Sequence, residues 1–115
     1  MNRQRFDLDS LDTEDPFEID SDNWSHLYKH MLVGRQRPLR IGVEELRDYY
    51  AFGAVLYFPA DPPADWLMTF DAEGTVVVVP LASPRCNDPL KCRPIGIYPA
   101  PRPLRDAYYR ERERE

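Results

Sequence analysis

Three features of the sequence predict an α+β fold. Apolar residues recur at helical spacing over residues 24–31 and 43–50, and a further helical segment follows Pro103. Between them, Trp66 to Phe70 and Thr75 to Val79 form the strongest hairpin signal, joined by Asp71-Ala72-Glu73-Gly74, whose glycine can take the positive φ such loops need. The expected order is two N-terminal helices, an antiparallel sheet of three to four strands, and a C-terminal helix. The helices are expected to pack on one face of a small curved sheet.

Each element has a local reason. Phe17-Glu18-Ile19-Asp20 alternates apolar and polar and reads as a short extended lead-in. Ser21 or Asp22 can cap a first helix by accepting from its free N–H groups. Trp24, Leu27, Tyr28 and Met31 form its stripe, and Gly34 ends it. Arg35 to Arg40 is expected to be a basic loop. A second helix runs from about Val43 to Ala51, with Val43, Leu46 and Tyr50 inward and Gly53 as its stop. Val55 to Pro59 is a short strand, and Pro62-Pro63 makes a rigid loop. The β-branched run Val76 to Val79 suggests a central strand buried on both faces, stopped by Pro80. Cys92 to Tyr98 is the last strand, and Pro94 within it asks for a bulge or an edge position. Pro103 suits the first turn of a helix reaching about Glu113, with Leu104 and Tyr108 inward.

Composition narrows the class. A chain of 115 residues with 43% hydrophobic content fits one domain. No apolar run approaches the roughly 20 residues needed to span a bilayer, and Met1 to Ser10 has no apolar signal-peptide core. A cytoplasmic location is therefore expected. Cys86 and Cys92, with five residues between them, do not match paired zinc ligands. In a reducing compartment they are expected to be ordinary thiols.

The net charge of −5 is unevenly spread. Eight carboxylates and no base lie between Asp7 and Asp22, whereas residues 23–115 carry 13 basic groups, all but Arg3 and Arg5, against 12 acidic ones. Residues 1–16 are accordingly expected to be a disordered acidic tail, with residues 17–115 as the single domain. Only Lys29 and Lys91 are lysines; the rest of the basic residues are arginines.

Four segments, in order, resemble the BrnT family, ribonuclease toxins of type II toxin–antitoxin pairs whose fold is related to RelE. Phe17-Glu18-Ile19-Asp20 leads toward Lys29-His30, similar to the family's aromatic–acid start and Lys-His pair. Ile41-Gly42-Val43-Glu44-Glu45-Leu46 resembles "VSFEEA". Asp65-Trp66-Leu67-Met68 through Gly74 to Val79 is similar to the central hairpin with its "VLVVVYT"-like strand. Cys92-Arg93-Pro94-Ile95-Gly96-Ile97-Tyr98-Pro99-Ala100 resembles "IRIISARPA", followed by Arg102, Arg105 and Tyr108 in the place of "RRERRRY". The similarity covers about Phe17 to Arg110. Three positions depart from the pattern: Tyr98 stands for the arginine of "SAR", Asp65 for the arginine before the hairpin strand, and Leu104 for an acid early in the last helix.

The resemblance implies metal-independent RNA cleavage with the RNA's own 2′-hydroxyl as nucleophile, no cofactor, and a small ribbon-helix-helix antitoxin as partner. Such chemistry needs proton transfer by groups within hydrogen-bond reach and fixed cationic donors for the phosphate, a task that suits arginine's planar fork. By type, His30 or Lys29 would move protons, Arg93 and Arg105 would hold the phosphate, and Tyr98 would donate a hydrogen bond. The alternative is a catalytically inactive scaffold that binds protein or nucleic acid. Bland roles also exist for these residues. His26 and His30 are at i and i+4 without an evident third metal ligand, Lys29 can serve its helix's C-terminal dipole, and Arg93 can pair with a cross-strand acid such as Asp65.

Overall fold

The computed structural model describes residues 5–20, 32–33, 39–86 and 88–114, with 32–33 and 39–40 described by their backbone only. The first expected helix falls on residues outside the described ones, except at its end. There Leu32–Val33 is a strand, β1, paired antiparallel with β2, Leu39–Arg40. The expected helix therefore does not reach Gly34, and the basic loop ends in a strand.

Helix α1 spans Val43–Phe52. Glu44 and Glu45 in its first turn favour the positive end of the helix dipole. Gly53 ends it, donating its N–H to Tyr49 O at 2.8 Å. A Cβ on Gly53 would lie 2.6 Å from that same oxygen, so a side chain there would force the end of the helix open.

The main sheet is antiparallel: β3 (Leu56–Pro59), β4 (Trp66–Ala72), β5 (Thr75–Ala82), and on the far edge of β5 two short strands, β6 (Arg93–Pro94) and β7 (Tyr98–Pro99). The hairpin forms as expected but turns more tightly. Ala72 pairs with Thr75, leaving Glu73-Gly74 as a two-residue loop with φ of 53° and 91°. Two positive φ values match the right-handed twist of the flanking strands. Pro80 does not stop β5, which runs on to Ala82. Its missing N–H would face the gap between β6 and β7, where its carbonyl accepts from Ile95 N–H at 3.0 Å. That same gap splits the single last strand expected from Cys92 to Tyr98.

Successive side chains on a strand point to opposite faces. One face carries Met68, Phe70, Ala72, Val77, Val79 and Leu81, packed with Leu46, Ile41 and Ile97 in the core. Tyr49 of α1 stacks on Phe70 there, ring centroids 4.4 Å apart. The other face buries Thr69, Val76 and Val78. It receives helix α2, Arg102–Glu113, whose buried Tyr108 donates to Ala54 O at 2.7 Å and whose Tyr109 donates to Asp71 Oδ2 at 3.1 Å. Phe70 and Asp71 are consecutive, so the two helices meet opposite faces. The fold is a small α+β domain, but its described helices do not share a face. This arrangement explains why Val76 to Val79 is buried throughout, as its β-branched run suggests.

Of the segment expected to be a disordered tail, residues 5–16 are described, and they pack on the fold. Leu11 is 6% exposed and belongs to the core with Phe17, and Phe6 and Leu8 pack against it. Leu8–Ser10 is a 3₁₀ turn capped by Asp7, whose side chain accepts from Asp9 N. Asp12 Oδ1 accepts from Glu14 N and Asp15 N. Trp66 Nε1 donates to Phe6 O at 2.9 Å, Tyr50 donates to Asp12 O at 2.8 Å, and Phe17 bridges Cys92 in parallel. A count of charges does not reveal this, because several of these carboxylates serve turns and caps while the apolar residues between them face the sheet.

Candidate functional site

Three of the five residues selected from sequence, Arg93, Tyr98 and Arg105, are among the described residues. Lys29 and His30 lie outside them. Register sets Arg93 opposite Ala82 and Tyr98 opposite Val78, on the α2 side of β5. Tyr98 is exposed, and partial burial of its ring raises its phenol above the ordinary value. Arg105 lies on α2, half-exposed, with Nε 3.8 Å from Asp106 Oδ1. Arg93 and Arg105 therefore share a side of the sheet. Neither lines either of the two cavities described below.

Arg93 is held by acids, though not by Asp65. Its Nη2 lies 3.4 Å from Asp20 Oδ1 and its Nε 4.0 Å from Glu18 Oε1, with only 12% of the side chain exposed. Asp20 also reaches Arg85, Oδ2 to Nη1 at 3.5 Å. Glu18 accepts from two consecutive backbone N–H groups, Arg85 N to Oε1 and Cys86 N to Oε2, each at 2.9 Å. Burial pushes the Glu18 carboxyl up, but the hydrogen bonds from the Cys86 thiol and those two N–H groups outweigh it and leave the pKa lowered. Asp65 is buried elsewhere, accepting from Phe6 N at 2.9 Å and Ser83 Oγ at 3.2 Å.

A different surface forms the larger cleft. Among the described residues, Glu45, Asp48, Tyr49, Phe52 and Gly53 line about 560 Å³ beside α1. The four side chains recur at i, i+3, i+4 and i+7, which places them along one helix face. Phe52 is 88% exposed, an unusual position for a large aromatic ring. Burial raises the Tyr49 phenol, and the negative charges of Glu73, Asp71 and Glu45 raise it further. Leu46 is buried and Tyr50 packs against the core, as their spacing in the sequence suggests. The spacing of Glu45, Asp48, Tyr49 and Phe52 is equally present there, but nothing in it marks that Tyr49 stacks on Phe70 while Phe52 stays exposed.

A second cavity of about 310 Å³ is lined by Phe6, Asp7, Ser10, Ser83, Pro84, Asp88, Pro89 and Lys91, where the N-terminal segment crosses the loop after β5. Lys91 there donates to Asp15 O. Among the described residues, no group of three His, Cys, Asp or Glu is placed to hold a metal ion, and no helix is long and apolar enough to cross a membrane. In comparisons with known proteins, no family model, no curated protein and no solved structure matches this chain.

Proposed function

We infer that the chain is a protein-binding module, whose α1 cleft takes a basic segment of a partner protein. The observation that carries this reading is Phe52, 88% exposed on a cleft whose other described lining side chains are Tyr49 and two carboxylates. Exposed aromatics in concave sites are the usual anchors of protein interfaces. The acids choose the partner's sign. An arginine or lysine inserted there meets Glu45 and Asp48, and its cation can rest on an aromatic face, an interaction of about 0.5–2 kcal/mol. A DNA-binding ribbon-helix-helix partner, as the resemblance to BrnT implies, would bring cationic side chains of that kind.

The BrnT-like endoribonuclease is the second reading. Its half-exposed Arg105 favours it, but the pairing of Arg93 with Glu18 and Asp20 weighs against it, since a guanidinium already neutralised contributes little to a phosphate's charge. One experiment separates the two. The full chain is titrated with a capped peptide of alternating arginine and leucine and with its citrulline counterpart, following backbone amide shifts. Binding that perturbs Tyr49, Phe52 and Gly53, needs the arginine charge, and weakens about tenfold in Phe52→Ser is the expected result. Absence of peptide binding, together with RNA cleavage by the purified chain that Arg105→Ala abolishes, would establish the nuclease instead.

A further inference from the structure

Away from the α1 cleft, Arg85 and Arg93 converge on one small region with two adjacent backbone N–H groups, those of Arg85 and Cys86. All four donors point at the carboxylates of Glu18 and Asp20. Paired guanidinium groups combined with successive backbone amides are a donor set for a polyvalent oxyanion. The Arg93 side chain is only 12% exposed, so its charge needs an anion beside it. Among the described residues, Glu18 and Asp20 supply two negative charges to the two arginines. A phosphate monoester, which carries close to two negative charges above its second pKa of about 6, would preserve that balance. A phosphodiester, with one, would not.

We propose that Arg85, Arg93 and the N–H groups of Arg85 and Cys86 form a phosphate-monoester site that the chain closes on itself with Glu18 and Asp20. The two carboxylates are tethered by the N-terminal segment, whose Phe17 is fixed in the core one residue earlier. They compete as intramolecular ligands at high effective concentration. The intact chain therefore binds a free phosphate weakly, and neutralising the stand-ins opens the site.

The test uses the full chain and phenyl phosphate as probe, followed by phosphorus NMR and by the amide shifts of Arg85 and Cys86. Glu18→Gln/Asp20→Asn is expected to bind phenyl phosphate about tenfold more tightly than the unaltered chain. Adding Arg93→Ala should remove that gain. Affinity should rise as pH passes through about 6, with the probe's second ionisation. Dimethyl phosphate, singly charged, should gain much less. A phosphoserine tripeptide in parallel tells whether the same group is preferred on a peptide or on a small molecule; tighter binding of either in the opened variant supports the site. If the double variant gains nothing, or if dimethyl phosphate gains as much as phenyl phosphate, the proposal is overturned. Should the double variant lose its native amide dispersion, Asp20→Asn alone decides, because it keeps the Glu18 hydrogen bonds. A gain of about threefold supports the site and no gain overturns it.

Discussion

Cys92 sits in the core, where burial pushes its thiol up to about 12, while Cys86 is exposed and its thiol is raised by the hydrogen bond to Glu18. Only a thiolate attacks an alkylating reagent. At about pH 8, iodoacetamide should modify one thiol per folded chain, Cys86, and reach Cys92 only after denaturation. Modification of both at equal rates in the native protein would show that Cys92 is not buried. Tyr108 makes a comparable case on the other face, since its hydroxyl reaches Ala54 O from a buried ring. Tyr108→Phe keeps the packing and removes this hydrogen bond, an expected loss of about 1 kcal/mol in urea unfolding. At this scale the sequence is informative about side-chain type and silent about partners. Arg93 is legible as a candidate cation, yet its acids come from residues 73 and 75 positions earlier in the chain, a separation at which local spacing carries no signal.

Elements show the same division. The hairpin is legible because two features agree locally: a glycine-containing turn and a β-branched run. No atom lies within 4 Å of the place a Cβ on Gly74 would take, but the backbone there has a φ of 91°, so Gly74→Ala should cost about 1 kcal/mol through backbone strain alone. A thermal midpoint unchanged by that substitution would argue against the two-residue turn. The N-terminal segment departs from expectation because charge density suggests solvation, whereas Leu11 and Phe17 supply just enough apolar surface to hold it on the sheet. Leu11→Ala is expected to cost about 2–4 kcal/mol, read by denaturant midpoint. A disordered tail would show no change. Pro80 departs for a related reason: proline ends strands where a neighbour needs its N–H, and here the neighbouring strand is interrupted.

Among the described residues the main sheet is covered from two sides, and stability should depend on acid groups in the N-terminal segment that packs on one of them. Asp12 is lowered below 3.8 by the N–H groups of Asp15 and Glu14, and Glu18 below 4.5 on balance against its burial. Carboxyls whose folded pKa lies below the unfolded one stabilise the native state above the unfolded value and lose that contribution as pH falls through the folded one. The urea midpoint should therefore fall between about pH 5 and pH 3, and the fall should be shallower in Glu18→Gln. An unchanged slope in that variant would remove Glu18 from the account. The candidate surfaces belong to this scale too. The α1 cleft and the Arg85–Arg93 cluster both depend on which faces the elements present to one another.

By itself the sequence determined the local elements from α1 onward: helix α1, the central hairpin, the edge position of Pro94 and the C-terminal helix. Each is set by periodicity, turn chemistry or proline geometry within about a dozen residues. Only the tertiary structure decided that the two described helices cover opposite faces, that residues 5–16 pack on the core, and that Arg93 meets Glu18 and Asp20. Those outcomes follow from contacts between residues far apart in the chain, where burial and charge pairing compete and no local pattern records the winner.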